Sequence, residues 1–308
     1  MSKRQAPPVV WLITDNKPGH RNQLKGLAER LAALTGARFC WLHAEKHPVP
    51  LWRALLGIAP ALNASLPRPD LILSAGSKTH RLLLALRRTA GASALVLMKP
   101  GFPVSWVDGA IIPAHDRVKP SANVLVTEGA LNAVKPLTEI TDQKNALVLI
   151  GGPSPHFTWD SMAVFSQISE LVARHPDWHW QITDSRRTPA ELANNLDSLQ
   201  GMNVEVQHHQ QTPEGWLNQQ LAHSRAVWVT PDSLSMVCEA ATSGVPTGLL
   251  DLPAQPNSRV AKGVQRLAEK DLVFPMGQQA SIMAEQIPRA PRLWEADRAA
   301  RWVIERFL

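Results

Sequence analysis

At 308 residues the chain is long for one compact core and ample for two. Its 44% hydrophobic and 19% charged content excludes a disordered chain, and no apolar run reaches the roughly 20 residues that span a bilayer. A formal charge of +6 implies attraction to anions, and the absence of a module interleaving aromatic and basic residues argues against nucleic acid as the partner.

The N-terminal run MSKRQAPP lacks a secretory apolar core, so a cytoplasmic location is expected. Strand-like runs follow at Val9–Thr14, Arg38–Leu42, Leu71–Ser74, Ala94–Met98, Gly109–Ile112 and Val124–Thr127. Several lack polar alternation, as parallel strands covered on both faces do. Helical patterns lie between them, notably Arg21–Leu34, with Leu24, Leu27, Ala28, Leu31 and Leu34 at helical spacing, and Thr79–Thr89. The segment from His47 to Leu66, with Leu51, Trp52, Leu55, Leu56 and Ile58, is apolar enough to touch lipid, and a buried helix is the favoured expectation. Residues 133–144 are polar, contain Pro136 and show no period, which marks a linker.

Beyond the linker the alternation restarts. Strands are expected at Ala146–Ile150, Trp178–Thr183, Val204–Gln207, Ala226–Val229 and Thr247–Leu250. Helices are expected at Asp160–Arg174, Pro189–Leu199, Pro213–His223, Leu234–Ser243 and Arg259–Glu269. Gly244 stands where a helix C-cap belongs, with Pro246 after it. A tail helix over Arg292–Leu308 completes the chain. The organisation expected is α/β throughout: residues 1–132 as one domain, 145–291 as a second, and 292–308 as a helix free to pack on either. Cys40 and Cys238 fall in apolar patterns and read as buried thiols.

Ligands of open parallel sheets collect at the carboxyl ends of the strands. In the first half those ends carry Asp15, Lys17, His20, Asn22 and Gln23, then Lys78, then His115 and Asp116. His20 at a helix start is a candidate general base, Asp15 competes with it, and His115-Asp116 is a second acid/base pair. In the second half Gly151, Gly152 and Ser154 follow the first strand, where bare backbone can approach a ligand. Ser185, Arg186 and Arg187 offer hydroxyl and guanidinium groups that complement phosphate, or form a solvated turn. The segment Thr230-Pro231-Asp232-Ser233 then leads into a helix bearing Ser235, Met236 and Glu239. Strand, turn and helix start make an anion site, because the first N–H groups of a helix lack internal partners and the dipole is positive there. Glu239 could accept hydrogen bonds from a sugar beside such an anion; in the alternative, Asp232 or Ser233 merely caps the helix.

No dinucleotide fingerprint, phosphate-binding P-loop, Asp-x-Asp motif or metal-ligand spacing occurs. The chain has no tyrosine, which argues against a dinucleotide-dependent nucleotide-sugar epimerase, since that chemistry would need a Tyr-Lys pair.

The run WLITDNKPGHRNQLKGLA (Trp11 to Ala28) resembles the mitochondrial-fission ELM family, and so do four further motifs: Pro113 to Asp116, Gly129 to Asn132, Gly151 to Ser154 and Ser185 to Pro189. The stretch TPDSLSMVCEA (Thr230 to Ala240) completes a set that recurs in order along nearly the whole chain. The resemblance implies a GT-B glycosyltransferase fold: two Rossmann-like domains facing across a cleft, a nucleotide-sugar donor in the C-terminal one, and the final helix returning to the N-terminal one. It also implies Ser233, Ser235 and Met236 at a diphosphate, Glu239 at the ribose, and His20 or Asp15 as acceptor-side base. A weaker similarity to the transferase that adds N-acetylglucosamine to the peptidoglycan lipid precursor points the same way. That precedent's Gly-rich first loop is replaced here by Asn16-Lys17-Pro18. The expected partners are a nucleotide sugar and a sugar or lipid-linked acceptor, reached peripherally at the cytosolic face of the inner membrane, with neither metal nor organic cofactor. A non-catalytic interaction protein of the same fold is the alternative.

Overall fold

In this computed structural model the described residues are 6–89, 91–284 and 293–308. They divide into two compact units, Met1–Ala133 with Trp294–Leu308, and Val134–Leu293.

The first unit is built on six parallel strands: β1 (Val9–Thr14), β2 (Arg38–His43), β3 (Leu71–Ala75), β4 (Ser93–Leu97), β5 (Gly109–Pro113) and β6 (Val124–Thr127). Their order is β2-β1-β3-β4-β5-β6. β1 and β3 are buried along their whole length, which explains why their sequences are apolar but for Thr14 and Ser74 and show no polar alternation. The edge strand β2 is largely half-exposed, so Cys40 is only partly buried, contrary to the sequence expectation. Helices α1 (Pro18–Thr35), α2 (Leu51–Leu56) and α3 (His80–Leu86) connect the strands. α1 begins at Pro18, three residues earlier than its apolar period suggests, because proline is well tolerated in a first turn. Leu24, Leu27 and Leu31 of α1 pack with Val10, Leu12 and Leu73 on one face of the sheet. Ala299, Ala300 and Val303 of the C-terminal helix, Glu295–Phe307, join the same core. Asp297 of that helix ties to Arg30 of α1 at 2.5 Å, so the helix does return to the first unit. Arg292, the first residue expected in that helix, lies outside the described residues.

The second unit repeats the plan with β7 (Asn145–Leu149), β8 (His179–Thr183), β9 (Val204–Gln207), β10 (Ala226–Val229), β11 (Thr247–Leu249) and β12 (Phe274–Pro275). The parallel order is β12-β11-β10-β7-β8-β9, the doubly wound arrangement of dinucleotide-binding sheets. Helices α4 (Ser161–Arg174), α5 (Ala190–Asp197), α6 (Trp216–His223), α7 (Leu234–Ser243), α8 (Arg259–Ala268) and the short α9 (Gln279–Ile282) cover it. Asp160 caps α4 through its carboxylate, and Gly244 closes α7 with φ of 84°, a backbone that favours glycine. Residues 133–144 hold no helix or strand, and the Leu137 N–H bonds the Ser243 carbonyl at 2.9 Å.

Candidate functional site

In the second sheet the chain leaves β7 toward β8 on one side and leaves β10 toward β11 on the other. Loops departing in opposite directions open a crevice at the carboxyl ends of these two neighbours. The sequence motifs fall there, and three loops knit together. The Gly151 N–H donates to Thr230 Oγ1 at 2.7 Å, and the Gly152 N–H donates to Asp232 at 3.1 Å. The Gly151 carbonyl accepts from Ser185 Oγ at 2.9 Å and Thr188 Oγ1 at 2.5 Å. Arg187 donates to the Gly152 carbonyl at 2.9 Å and pairs with Asp232 at 2.6 Å. A Cβ at 151 would overlap the Asp232 carboxylate, and one at 152 the Arg187 backbone. Glycine at both positions therefore lets the loops approach one another, with both N–H groups already engaged.

Asp232 does not cap the helix that follows. Its side chain is 1% exposed and turned to Arg187, with Oδ2 accepting there while Oδ1 is buried without a partner. Ser233 occupies the N-cap of α7 but makes no side-chain capping bond. The capping alternative is therefore not realised: neither Asp232 nor Ser233 caps the first turn through its side chain. Along α7, Leu234, Val237, Cys238, Ala240 and Ala241 are buried, whereas Ser233, Ser235, Met236 and Glu239 stay half-exposed. Ser235 and Glu239, four residues apart, share one face of the helix. Arg186 is exposed on the neighbouring loop, and Ser154 accepts from the His156 N–H at 3.2 Å.

Sequence reasoning missed two features of this strand end. A cavity of about 340 Å³ opens beside Pro231 and is lined by Leu249, Gln255, Asn257, Ser258 and Lys262. The β7 loop closes one wall, since the Gln255 N–H bonds the His156 carbonyl at 2.9 Å and the Thr158 N–H bonds the Pro253 carbonyl at 2.8 Å. The second feature is a cluster at the ends of β8 and β9. Buried Asp184 accepts from the His209 N–H at 2.7 Å and meets His208 Nδ1 at 2.8 Å and His209 Nδ1 at 2.7 Å. His208 Nε2 reaches Asp197 at 3.0 Å. The hydrogen bond to Asp184 raises the His208 pKa above its ordinary value, against a smaller opposing effect of burial. Burial acts to raise the Asp184 pKa, yet the hydrogen bonds from both histidines hold it below the ordinary range.

In the first sheet the strand order reverses between β1 and β3. His20 in the first turn of α1 places Nδ1 at 2.8 and 3.0 Å from the two oxygens of Asp15 at the end of β1. The Asp15 side chain is fully buried and that of His20 partly open, so the carboxylate orients the ring and leaves Nε2 as its outward nitrogen. Gly76 after β3 lies so close that a Cβ would overlap both groups. Histidine and aspartate, read from the sequence as competing bases, are one hydrogen-bonded pair. His80, nearby on α3, has its pKa lowered by burial and by His20. The other predicted residues are spread out. Lys17 is exposed, and its N–H bonds Asp15 at 3.2 Å. Asn22 accepts from the Ala133 N–H at 3.3 Å, and buried Gln23 donates to the Met98 sulfur at 3.4 Å. Lys78 is exposed beside Gly76. Asp116 and His115 follow β5, three strand steps from β1, roughly 14 Å away across the sheet. Asp116 is buried, and His115 Nε2 stands 4.0 Å from its carboxylate. Among the described residues no cluster has the makings of a metal site, and no helix is long and apolar enough to cross a membrane.

The sequence profile of the family described as Mitochondrial fission ELM1 matches residues 18–307. The uncharacterized protein RP120 of Rickettsia prowazekii (strain Madrid E) is 22% identical over 335 residues, covering 90% of this chain and 92% of that one. UDP-GlcNAc 2-epimerase from Neisseria meningitidis, solved bound to UDP-GlcNAc, is similar over 96% of this chain and 98% of its own, with a TM-score of 0.55 and 13% identity. MurG from Acinetobacter baumannii is similar over 98% and 99%, with a TM-score of 0.54 and 14% identity. Likeness at that identity is a likeness of fold, and the fold is GT-B-like, two Rossmann-like α/β units. The missing tyrosine speaks only against dinucleotide-dependent epimerases, so it does not separate sugar transfer from every kind of epimerisation.

Proposed function

The chain belongs to the mitochondrial fission ELM1 family, and from that premise we propose a metal-independent glycosyltransferase that takes a nucleoside diphosphate sugar in its second unit. The observation that carries this reading is the uncapped start of α7, where Ser235, Met236 and Glu239 remain half-exposed beside the arginine-bearing β8 loop. Free N–H groups at the positive end of a helix hold the diphosphate, and Arg186 adds charge stabilisation as the leaving group departs. Glu239, one turn beyond Ser235, accepts hydrogen bonds from the ribose. The cavity beside Pro231, with Gln255, Asn257 and Lys262, receives the sugar. Thr230, Asp232, Arg187, Ser185, Gly151 and Gly152 fix the loops around it, and Ser154 holds the turn after Gly152. In the first unit, His20 oriented by Asp15 takes the acceptor hydroxyl proton on Nε2. The acceptor is an envelope saccharide or a lipid-linked sugar at the cytosolic membrane face.

Titration calorimetry with UDP, ADP, GDP and CMP sugars tests the donor assignment. At least one should bind, and Glu239→Ala should weaken it by roughly 10- to 100-fold, as losing a charge-assisted hydrogen bond does. Silence from the whole panel would leave a non-catalytic interaction protein of this fold as the better account.

A further inference from the structure

Helix α2 is inverted relative to an ordinary surface helix. Only Ala54 of its six residues is buried. Leu51, Trp52, Leu55 and Leu56 are 55%, 58%, 45% and 55% exposed, and Ile58 just beyond is 39% exposed. At the α-helical turn angle the four helical side chains share an arc of about 140°, directed to solvent. The helix is locked in that attitude from behind. Arg87 donates to the carbonyls of Ala54 at 2.6 Å and Leu55 at 2.7 Å, and Arg88 donates to that of Leu56 at 2.9 Å. Two guanidinium groups thus satisfy the last-turn carbonyls that a short helix leaves open. The sequence expectation of a buried helix is overturned here. Folding gains nothing from the outward face, and contiguous exposed apolar surface of this kind marks an interaction site.

Beside α2 lies a cavity of about 500 Å³, lined by His47, Val49, Lys78, Arg81 and Leu82 with no carboxylate in its wall. Lys78 and Arg81 are exposed at its mouth. Five apolar side chains are too few for a stable dimer, which buries some 20–30 residues a side. Cations flanking an apolar ridge complement a different surface, one whose outer layer is anionic and whose interior is hydrocarbon.

We propose that this face of the first unit docks on a bilayer containing anionic phospholipid. Leu51, Trp52, Leu55 and Leu56 enter the headgroup–acyl boundary, and a phosphate headgroup occupies the His47–Lys78–Arg81 cavity. The inference deepens, and takes its purpose from, the reading of a membrane-side acceptor. Its test uses no nucleotide, so failure of one does not mimic failure of the other.

The experiment is flotation of the full chain with vesicles of phosphatidylcholine alone or mixed with phosphatidylglycerol. The protein should float with the mixed vesicles and lose binding as salt rises. Trp52→Glu with Leu55→Glu should reduce binding more than roughly ten-fold. Lys78→Glu with Arg81→Glu should reduce binding to mixed vesicles by roughly 30-fold or more, from about 1 kcal/mol per basic residue. All four positions are exposed, so thermal melts should match the wild type. Trp52→Ser with Leu55→Ser, which adds no charge, should lose binding in the same direction. Wild-type protein that ignores mixed vesicles would overturn the proposal. So would binding untouched by the α2 variants, or a solution dimer that Trp52→Glu dissolves.

Discussion

Substituting Arg187 and Asp232 one at a time and together distinguishes a preorganised loop lattice from a casual surface contact. Arg187→Ala strips the cation from a carboxylate whose side chain is 1% exposed, leaving Asp232 with the Gly152 N–H as its remaining donor from this lattice. Breaking a fully buried pair from one side costs about 3–5 kcal/mol. The Arg187 side chain is 42% exposed, so solvent already screens part of the attraction, and about 2 kcal/mol is the expected cost. Asp232→Asn is gentler: an amide oxygen can still accept from Gly152, and the orphaned guanidinium finds water, for about 1 kcal/mol. With Asn already at 232, removing Arg187 should add only a few tenths of a kcal/mol. Hydrogen exchange read by mass spectrometry on peptides covering β7 and β10 isolates the second unit from the first. Exchange should quicken roughly 30-fold in Arg187→Ala and roughly five-fold in Asp232→Asn. Exchange in Arg187→Ala at the wild-type rate, or slower than in Asp232→Asn, would mean that the Arg187–Asp232 pair does not hold these loops together.

Three further outcomes follow from the geometry. His20→Ala should lower any transfer rate by roughly 10²–10⁴, and Asp15→Asn should lower it less while leaving substrate KM nearly unchanged, as an orienting group does; a wild-type rate in His20→Ala moves the base elsewhere. The Asp184–His208 cluster makes the second unit's stability depend on pH. The raised His208 pKa contributes stability that is complete below about pH 6.5 and lost as pH rises through the folded value. The lowered Asp184 pKa contributes stability present above about pH 4 and lost as pH falls through the folded value. Urea midpoints against pH should therefore peak between those limits, and His208→Gln should flatten the alkaline side; an unchanged profile would count against the cluster. Gly26→Ala should destabilise the first unit by several kcal/mol, because a Cβ there overlaps the Asn132 carbonyl where α1 meets the segment after β6. A thermal midpoint equal to wild type would show that this backbone can yield.

The parallel strands were legible because burial on both faces removes polar alternation, leaving runs such as Ala226–Val229 uniformly apolar. β12 was not, since two residues carry no period. Helix α2 shows the opposite failure: its apolar residues were easy to see, but a pattern cannot say which way a face points, and the burial of Ala54 with the Arg87 and Arg88 bonds, some thirty residues away in sequence, sets that. Within the candidate site, the motif TPDSLSMVCE located the start of α7, because strand, turn and helix are local. The pairing of Arg187 with Asp232 spans 45 residues and depends on β7 lying between β8 and β10, which sequence order alone does not disclose. His20 and Asp15 are five residues apart, yet their contact required knowing that the α1 helix starts at Pro18.

A crystal structure of the full chain with whichever nucleotide sugar calorimetry selects would show whether the start of α7 holds the diphosphate. The diphosphate oxygens should lie within hydrogen-bond reach of the Ser235 and Met236 N–H groups, with a ribose hydroxyl on Glu239. A nucleotide seated instead at the opposite strand ends, against Trp180 and Asn203, or one that leaves the α7 start empty at saturation, would contradict that placement.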